Sequence, residues 1–491
     1  MDTQMFRAHD IRFRRSSVDA SVLKQLAWAL ARYYREVLQV PSVVLARDGR
    51  QGGESFQQCL LDACTANGID VHLEPNPIGT CQFYYHCLTR KESGGLMITA
   101  SHNPGSYLGV KLVGWNLEMI TMGGGAEGGL EKVRSLFEEN AEWMRTKPEG
   151  RVYVADTLAS YIAYSTRLAG IGEGELEGLS VVCDFLHGSF GGAVTRALQG
   201  LGVTVKSLHL LSDGSFPAGD PNPGRPESLS DARSYLESHP AKLLLVFDGD
   251  GDRMDVLYEG RQLPPSFVML MISEYLLQME PSSTPIRFLF DVKASPVVLK
   301  AMAGQHKQYG IVQNGHAIIK RIMQADGYRY AVEESAHYFH QFPRTADRSA
   351  SERFATENTL FFTLVLLKVY AREPDRFKAM RALQDSFFRV REWSVQISDQ
   401  QRLKALLEGV STLMQQLGAE RLTKTPEGRS LGATLYRKGL GQDAAWFQVF
   451  ERLSQSEDNL VRYEILSSDE SLGLEIHRLL SHCISGFSQT T

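Results

Sequence analysis

The chain has 491 residues, of which 43% are hydrophobic and 22% are charged, and its formal net charge is −5 at pH 7. This length predicts several globular domains, and the slight acidic excess gives no reason to expect a nucleic-acid partner. The longest apolar run, 360–369, is too short to span a bilayer, and the amino-terminal stretch lacks the apolar core of a signal peptide.

The first 150 residues predict alternating helices and strands, which is typical of a sheet layered between helices. Residues 18–38 carry apolar side chains at helical spacing, and the apolar run 42–46 predicts a strand. The polar stretch after it predicts a turn, for which the simplest interpretation is that Arg47 and Arg50 are ordinary surface residues. The later elements predicted in this region are a helix over 56–66, a strand over 71–73, a helix over 81–89 and a strand ending near residue 100.

The alternation continues through the middle of the chain. We predict domain breaks near residues 150, 258 and 372. We also expect the first three segments to share one α/β plan. The last segment, 373–491, is more polar and carries long helical patterns. The elements predicted in the middle are strands over 179–185, 203–210, 241–247 and 286–292 and a helix over 267–278.

One predicted strand is followed directly by Ser101-His102-Asn103-Pro104. Proline has no N–H to donate, so this polar quartet ends the strand abruptly. Ser101 is thereby left on a turn at the carboxyl end of a strand, where open α/β sheets bind their ligands. Taken alone, a serine followed by a histidine is a weak signal, because most such pairs are ordinary turn residues.

Three aspartates alternate with glycines at Asp248, Asp250 and Asp252, after the apolar strand predicted over 241–247. Glycine permits the backbone angles by which such a loop turns its carboxylates inward. The cluster repels itself unless a cation lies within it, and oxygen ligands alone favour a hard cation, Mg²⁺ first. A solvated acidic turn is the simpler alternative, but it fits poorly behind so apolar a strand.

A calcium loop is the rival interpretation of this acidic stretch. The spacing of the aspartates, together with Glu259, approaches that of an EF-hand. An EF-hand requires glycine at the sixth position, where this chain has Arg253, and helices on both sides, where this chain predicts strands. We therefore expect magnesium rather than calcium.

The serine turn and the acidic loop together predict phosphoryl transfer. This chemistry requires an acceptor oxygen, a metal and positive groups around the equatorial oxygens. Ser101 supplies the oxygen, the acidic loop holds the metal and Arg253 adds charge. His102 and Lys111 lie close to Ser101 in sequence and are able to move protons.

With these stretches the sequence resembles the α-D-phosphohexomutase family, and within it bacterial phosphomannomutase/phosphoglucomutase. The resemblance rests on TASHNP at 99–104, GVK at 109–111 and DGDGDR at 248–253, a very specific combination. It extends over roughly residues 5–345. The further matching stretches are FRAHDIR at 6–12, FP at 216–217 with PNP at 221–223, GHAIIK at 315–320 and EESAH at 333–337.

The resemblance implies three related mixed α/β domains and a C-terminal α+β domain around a central cleft. The implied domains are a phosphoserine domain (1–150), a metal-binding domain (151–258), a sugar-binding domain (259–372) and a divergent phosphate-binding domain (373–491). The implied activity moves phosphate between the 1- and 6-positions of a hexose, mannose or glucose. A phosphoserine, Mg²⁺ and a hexose bisphosphate, as intermediate and activator, are implied with it.

The site residues follow from the same resemblance. Ser101 is implied as the phosphoserine, whose phosphate joins the three aspartates around Mg²⁺, and Lys111 as the leading acid/base group. The other residues implied to line the transfer site are Arg12, His102, Arg253 and His316. Those implied to hold or accompany the sugar hydroxyls are Glu333, Ser335 and His337.

The last domain departs most from the family pattern. Members carry a loop resembling RSSNTEP that binds the substrate's non-reacting phosphate, and its best counterpart here is LSSDE at 466–470. Ser467 and Ser468 are kept, but Leu466 replaces the arginine and two carboxylates are gained. Losing one charged partner costs on the order of 1.5–3 kcal/mol, so we expect weak binding of a distal phosphate. The basic residues able to compensate are Arg421, Lys424 and Arg429.

Smaller departures lie elsewhere. Phe13 stands where the family has glycine, and His9 stands where it has tyrosine. The ESGH-type sugar-binding loop of the family has Ala336 here in place of its glycine. Residues 344–356 are predicted to form a charged, polar insertion.

Three functions remain open from the sequence. The first is a mutase with an altered distal site, and the second is a specialised phosphotransfer enzyme, such as a phosphatase acting on a sugar phosphate. The third is a non-catalytic relative that binds a sugar phosphate or a protein. Retention of Ser101 and the three aspartates favours catalysis.

The setting of the protein is also predicted. Its six cysteines form no CxxC pair, which indicates reduced thiols and a cytoplasmic protein rather than a zinc site. We expect a hexose phosphate as its partner, neither nucleic acid nor membrane, and a monomer or homodimer.

Overall fold

Four β-sheets follow one another along the chain in the computed structural model, which describes residues 3–125, 128–143, 145–239, 241–280, 284–439, 445–454 and 459–487. The strands of the first sheet are β1 (Ile11–Arg14), β2 (Ser42–Arg47), β3 (Asp70–Leu73), β4 (Ser93–Ile98), β5 (Tyr107–Val113) and β6 (Val152–Val154). Its helices are α1 (Ala20–Arg32), which continues as a π-helical turn over Tyr33–Val37, α2 (Gly53–Ala66), α3 (Thr80–Thr89) and α4 (Gly129–Glu139).

The second and third sheets each have five strands. The second has α5 (Leu158–Ala169), β7 (Ser180–Asp184), α6 (Gly191–Gly200), β8 (Thr204–Leu208), α7 (Ser230–Ser238), β9 (Leu243–Phe247), β10 (Met254–Tyr258) and β11 (Arg261–Leu263). The third has α8 (Pro265–Gln278), β12 (Ile286–Asp291), α9 (Pro296–Met302), β13 (Lys307–Val312), α10 (His316–Asp326), β14 (Tyr330–Glu333), β15 (His337–Pro343), β16 (Arg353–Glu357) and α11 (Thr359–Arg372).

The fourth sheet differs because all of its strand pairs are antiparallel, in the order β17-β21-β20-β19-β18. Its apolar face packs on two long helices, as the helical patterns of this segment predict. Its elements are α12 (Asp375–Asp385), β17 (Phe388–Gln396), α13 (Gln400–Gln416), β18 (Glu420–Lys424), β19 (Ser430–Lys438), β20 (Phe447–Leu453), β21 (Leu460–Ser467) and α14 (Glu470–Ser485).

The first three sheets share one plan, as predicted. Four neighbouring strands run in the orders β3-β2-β4-β5, β8-β7-β9-β10 and β13-β12-β14-β15. In each set the first three strands are parallel and the last is antiparallel. The turn between the last two strands is therefore an equivalent position in all three sheets.

Two of the predicted segment boundaries do not coincide with the ends of the sheets. Strand β6 pairs with β3, so the first sheet extends past residue 150. Strand β11 pairs with β10, so the second sheet extends past residue 258. The breaks near 150, 258 and 372 stay predictions.

The stretch 344–356 ends inside the buried strand β16 (Arg353–Glu357), and that it is an insertion stays a prediction. The polar first half is a loop that joins segments. Arg344 donates to the Leu88 carbonyl at 2.9 Å and to Asn116 Oδ1 at 2.7 Å, and Arg348 donates to the Leu168 carbonyl. These two arginines therefore link the third segment to the first two by hydrogen bonds.

The apolar run 360–369 lies inside α11, which is buried along most of its length and packs on α5 and α8. Across the described residues, no helix combines the length and apolarity needed to cross a membrane.

Glu451 in the fourth segment gives a prediction about stability. It is 5% exposed and accepts hydrogen bonds from Tyr436 and Tyr463 at 3.3 and 3.2 Å. Burial raises its pKa from 4.5 to about 7, although the tyrosine hydroxyls oppose the rise. A raised pKa means that the folded state holds the proton more tightly, so this contribution to stability is present below pH 4.5 and is lost as the pH rises through 7.

We therefore expect Glu451→Gln, which stays neutral, to avoid a loss of up to about 3 kcal/mol. Its Tm is expected to exceed that of the wild type near pH 8 and to match it near pH 4.5. Scanning calorimetry measures both, with Glu420→Gln at an exposed position of β18 as the control. A Tm difference that is equal at the two pH values would contradict the expected burial effect.

Candidate active site

The predicted site residues lie mainly on the three equivalent turns. Ser101 follows β4, the acidic loop 248–253 joins β9 to β10, and residues 333–337 join β14 to β15. Ser101 Oγ lies 3.4 Å from Asp248 Oδ2, and His337 Nε2 lies 3.2 Å from Asp252 Oδ1. The three turns therefore meet, although they are distant in sequence.

Ser101 has an unusual backbone conformation. Its φ is +51°, in the left-handed region that residues with a side chain seldom adopt, and it is 2% exposed. Its N–H donates to Thr99 Oγ1 at 2.9 Å, and its Oγ lies 3.3 Å from His102 Nδ1. Strain of this kind is typical of functional turns, and here it directs the hydroxyl toward the acidic loop.

Arg50 holds this turn, so the simpler interpretation that it is an ordinary surface residue does not fit. It is 2% exposed and donates to the carbonyls of Ser101, Asn103 and Pro104, the last two at 2.8 and 2.9 Å. Its Nε lies 3.1 Å from Asp48 Oδ2. The only sequence signal was the DGR turn at the end of a strand, because the carbonyls it binds are set by folding.

The acidic loop forms one buried cluster. Asp248, Asp250 and Asp252 are each at most 1% exposed, and one oxygen of each lies within 4.8 Å of the others. Lys111 on β5 reaches between them, with Nζ at 2.7 Å from Asp250 Oδ2 and 2.5 Å from Asp252 Oδ2. Thr80 Oγ1 also donates to Asp250 Oδ2 at 2.5 Å.

The charges in this cluster shift one another's pKa values. Burial, with the neighbouring Asp252 and Asp250, raises the pKa of Asp248 well above its usual range. Burial alone would raise the pKa of Asp252, but Lys111 and Arg253 outweigh it and lower the pKa. Burial would lower the pKa of Lys111, but Asp250 and Asp252 outweigh it, so Lys111 is an ammonium ion.

The residues of the cluster fit a hard divalent cation. The donors are carboxylate oxygens, and Asp250 Oδ1 is buried with no hydrogen-bond partner among the described residues. The Lys111 ammonium, 2.7 Å from Asp250 Oδ2, shows that the cluster accommodates positive charge. The calcium alternative does not fit, because strands β9 and β10 flank the loop. Glu259 follows the far end of β10, whose five residues place it roughly 16 Å from the acidic loop at about 3.3 Å per strand residue.

Basic and imidazole groups surround the cluster. Arg12 on β1 pairs with Asp10 at 2.7 Å and donates to Asn103 Oδ1 at 2.8 Å. The backbone N–H of Arg253 donates to Asp248 Oδ1 at 3.2 Å, and its Nε lies 3.7 Å from Asp248 Oδ2. Burial and nearby cations, Arg253 first, lower the pKa of His102 well below its usual range, so it is neutral at pH 7.

The third turn carries the predicted sugar-binding residues. Glu333 Oε1 accepts from the Gly315 N–H at 3.0 Å, and burial raises its pKa to about 7. His337 Nδ1 lies 3.3 Å from Glu333 Oε2 and 3.2 Å from Ser335 Oγ. His316, the first residue of α10, stacks on His337 with ring centroids 6.0 Å apart.

Ser467 and Ser468 are not brought to these turns. Ser467 is fully buried and donates to the Asp469 carbonyl, and Ser468 donates to Asp469 Oδ2 at 2.8 Å. Asp469 Oδ1 accepts from the Leu472 N–H and caps α14, which explains the acidic substitution. Within the described ranges, no hydrogen bond or ion pair links either serine to the three turns.

The other basic candidates of the last segment lie apart from this loop. Arg421 and Lys424 are on β18, the edge strand opposite β17, and Arg429 pairs with Asp326. Arg389 on β17 is closer, because it lies opposite Leu466 in the sheet register.

Comparison with known proteins identifies relatives over most of the chain. The sequence matches phosphoglucomutase/phosphomannomutase alpha/beta/alpha domain I over residues 3–121, domain II over 159–261 and domain III over 264–376. The phosphomannomutase of Salmonella typhimurium (strain LT2) is 31% identical over 348 residues, which cover 69% of this chain and 73% of that relative.

Solved structures extend the likeness through the fourth sheet. A phosphoglucomutase/phosphomannomutase family protein from Burkholderia thailandensis has a TM-score of 0.78 and 21% identity, with 99% of each chain covered. The N-acetylphosphoglucosamine mutase of Aspergillus fumigatus, in complex with GlcNAc-6P and magnesium, has a TM-score of 0.60 and 12% identity, with 98% and 95% covered. At these identities the likeness concerns the fold alone.

Proposed function

The chain belongs to the phosphoglucomutase/phosphomannomutase family, and on that premise we propose that it moves a phosphoryl group between the 1- and 6-positions of mannose or glucose. The observation that carries the proposal is the 3.4 Å approach of Ser101 Oγ to Asp248 Oδ2. It joins a buried hydroxyl to a carboxylate cluster that needs a cation, the combination that phosphoryl transfer uses.

In the proposed reaction Ser101 Oγ carries the phosphoryl group. A sugar hydroxyl oxygen forms a bond to phosphorus while the bond from phosphorus to Ser101 Oγ breaks. The proton of the sugar hydroxyl leaves to a base, and the serine oxygen receives a proton from an acid. The resulting hexose bisphosphate reorients within the site and returns its other phosphoryl group to Ser101.

The surrounding side chains divide this work. Asp248, Asp250 and Asp252 would hold Mg²⁺, which when bound neutralises charge on the phosphoryl oxygens. Lys111 and His102 are the proton-transfer candidates: Lys111 is an ammonium able to donate, and His102 is neutral and lies beside Ser101 Oγ.

Arg12 and Arg253 add positive charge around the phosphoryl group, and Glu333 and Ser335 bind sugar hydroxyls. Glu333 and Ser335 share His337 as a partner, which fixes their positions before substrate binds. Polar partners of this kind discriminate hydroxyl patterns better than apolar contacts, since a wrong pattern leaves buried groups unpaired.

A coupled assay with mannose 1-phosphate and glucose 1-phosphate, with a hexose 1,6-bisphosphate as activator, tests the proposal. We expect Mg²⁺-dependent formation of at least one 6-phosphate isomer. Intact-mass analysis of the purified protein is expected to show a fraction that carries one phosphoryl group. Absence of isomer with either substrate contradicts the mutase.

The altered last loop favours a second candidate, a specialised phosphotransfer enzyme or sugar-phosphate-binding relative. Leu466 is apolar, and both serines are committed to Asp469. The same assay separates the candidates. Free phosphate without isomer indicates a phosphatase, and substrate binding with neither product indicates a binding protein.

Arg389 is our candidate for the charge that Leu466 lacks. It is 39% exposed in its side chain and pairs with Glu464, which is buried. We expect Arg389→Ala to raise KM about 10- to 100-fold with a smaller change in kcat, because one charged partner of the distal phosphate is lost. Steady-state kinetics measures both constants.

Two variants keep this experiment interpretable. Arg391→Ala removes an exposed arginine from the same strand and is expected to leave KM unchanged. Arg389→Met combined with Glu464→Gln removes the charge without leaving a buried carboxylate unpaired. A stable double variant with the wild-type KM would rule out this role.

A further inference from the structure

A second group of potential metal ligands lies beside the acidic loop. Asp252, His337 and Glu357 each offer one ligand atom, and these atoms lie within 4.8 Å of one another. All three residues are at most 5% exposed. Asp252 belongs to the second sheet, whereas His337 and Glu357 are on β15 and β16 of the third. We propose that Asp252, His337 and Glu357, with His316 beside Glu357 as the candidate fourth ligand, form a second cation site that shares Asp252 with the acidic loop and takes a borderline divalent cation such as Zn²⁺.

Two buried atoms at this position have no hydrogen-bond partner in the part of the chain that the structure describes. They are Glu357 Oε1 and His316 Nδ1, which lie 3.9 Å apart. The Glu357 side chain is fully buried. An unsatisfied buried carboxylate oxygen is costly, on the order of 1–3 kcal/mol in general. A cation between these atoms would use both of them.

The other donor atoms are oriented by partners outside the site. His337 Nδ1 faces Glu333 and Ser335, which leaves Nε2 directed at Asp252 Oδ1, 3.2 Å away. Glu357 Oε2 binds Lys320 Nζ at 2.5 Å, and Asp252 Oδ2 binds Lys111 Nζ at 2.5 Å. Asp252, His337 and Glu357 therefore each have one atom held by a partner and a second atom left for the ion, as second-shell groups orient metal ligands.

The donor set selects a different metal from the acidic loop. Imidazole nitrogens suit Zn²⁺ and similar ions, whereas oxygen donors suit Mg²⁺. Bonds of about 2.1 Å place tetrahedral donors roughly 3.4 Å apart. The pair Asp252 and His337 already matches at 3.2 Å, and the Glu357 ligand atom lies within 4.8 Å of both.

The charges around the site are compatible with a bound ion. The ammonium groups of Lys111 and Lys320 contact the site's two carboxylates from outside, so they weaken its affinity without occupying the inward atoms. A cavity of about 790 Å³ lies nearby, and its lining includes Lys320, whose Nζ binds Glu357. The bound ion would cross-link the second and third sheets.

Equilibrium dialysis against Zn²⁺ alone and with excess Mg²⁺, followed by metal analysis, tests the proposal. Excess Mg²⁺ is expected to occupy the acidic loop and to leave one Zn²⁺ per chain. Glu357→Gln is expected to weaken this Zn²⁺ binding at least about tenfold. Asp248→Asn, which alters only the acidic loop, is expected to retain it and serves as the matched control.

The proposal is overturned if excess Mg²⁺ removes all Zn²⁺ from the wild type, or if a folded Glu357→Gln protein binds Zn²⁺ with unchanged affinity. Should Glu357→Gln fail to fold, His316→Gln replaces it, since His316 is partly exposed and its removal is also expected to weaken binding. Substituting Co²⁺ adds a visible spectrum that reports nitrogen coordination. A spectrum unchanged by His316→Gln would likewise overturn the fourth ligand.

Discussion

Replacing Ser101 with alanine is expected to lower kcat/KM of the mutase reaction at least about 10⁴-fold. Loss of a nucleophile removes the covalent route and leaves only binding and charge stabilisation. The fold is expected to survive, because the turn is held by other groups. Arg50 binds the Ser101 carbonyl, and the Ser101 N–H binds Thr99. Among the described residues, the hydroxyl itself makes only long contacts, at 3.3 and 3.4 Å.

The coupled assay measures this loss, and intact-mass analysis is expected to show no phosphorylated fraction in Ser101→Ala. Ser106→Ala is the matched control, since Ser106 is an exposed serine in the same connection between β4 and β5. It is expected to keep wild-type activity. A Ser101→Ala protein with activity within tenfold of the wild type would exclude Ser101 as the phosphoryl carrier.

Asp250→Asn is expected to lower kcat/KM about 10²- to 10⁴-fold, since a metal ion contributes several kcal/mol to phosphoryl transfer. Asp250 is fully buried, and its Oδ2 binds Lys111 at 2.7 Å. The amide has nearly the same shape but removes one negative charge from the cluster. We therefore expect weaker Mg²⁺ binding and, in the absence of metal, a weaker hold on Lys111.

Activity as a function of Mg²⁺ concentration measures this effect, after chelation with EDTA has removed the metal. The wild type is expected to lose activity with EDTA and to regain it with Mg²⁺. Asp255→Asn is the matched control, because Asp255 is 4% exposed but binds Gln262 at 2.5 Å outside the cluster. Equal Mg²⁺ dependence of Asp250→Asn and the wild type would show that Asp250 is not a ligand.

The shared plan of the first three sheets explains why the site lies where it does. In each sheet the turn between the last two common strands carries different chemistry: a hydroxyl at Ser101, carboxylates at 248–252, and mixed polar groups at 333–337. Contacts at 3.4 Å to Asp248 and 3.2 Å to Asp252 join the three turns. One position, used three times, therefore builds a site from segments up to 236 residues apart (337 − 101).

The sequence by itself determined the elements and the chemistry that are local. Apolar runs predicted β2, β9 and β12, and the glycine-spaced aspartates predicted a carboxylate cluster, because strand burial and loop flexibility depend on neighbouring residues. The serine turn followed from proline after a buried strand. The family resemblance then supplied roles that no spacing could.

Only the tertiary structure decided which distant groups meet, because such contacts depend on how whole sheets pack. It placed Arg50 beneath the serine turn, made Arg353–Glu357 a strand, and committed Ser467 and Ser468 to a helix cap. It also left Glu357 Oε1 and His316 Nδ1, beside His337, without a hydrogen-bond partner among the described residues. Burial and the absence of a partner are properties of the folded interior, and no local pattern in the sequence encodes them.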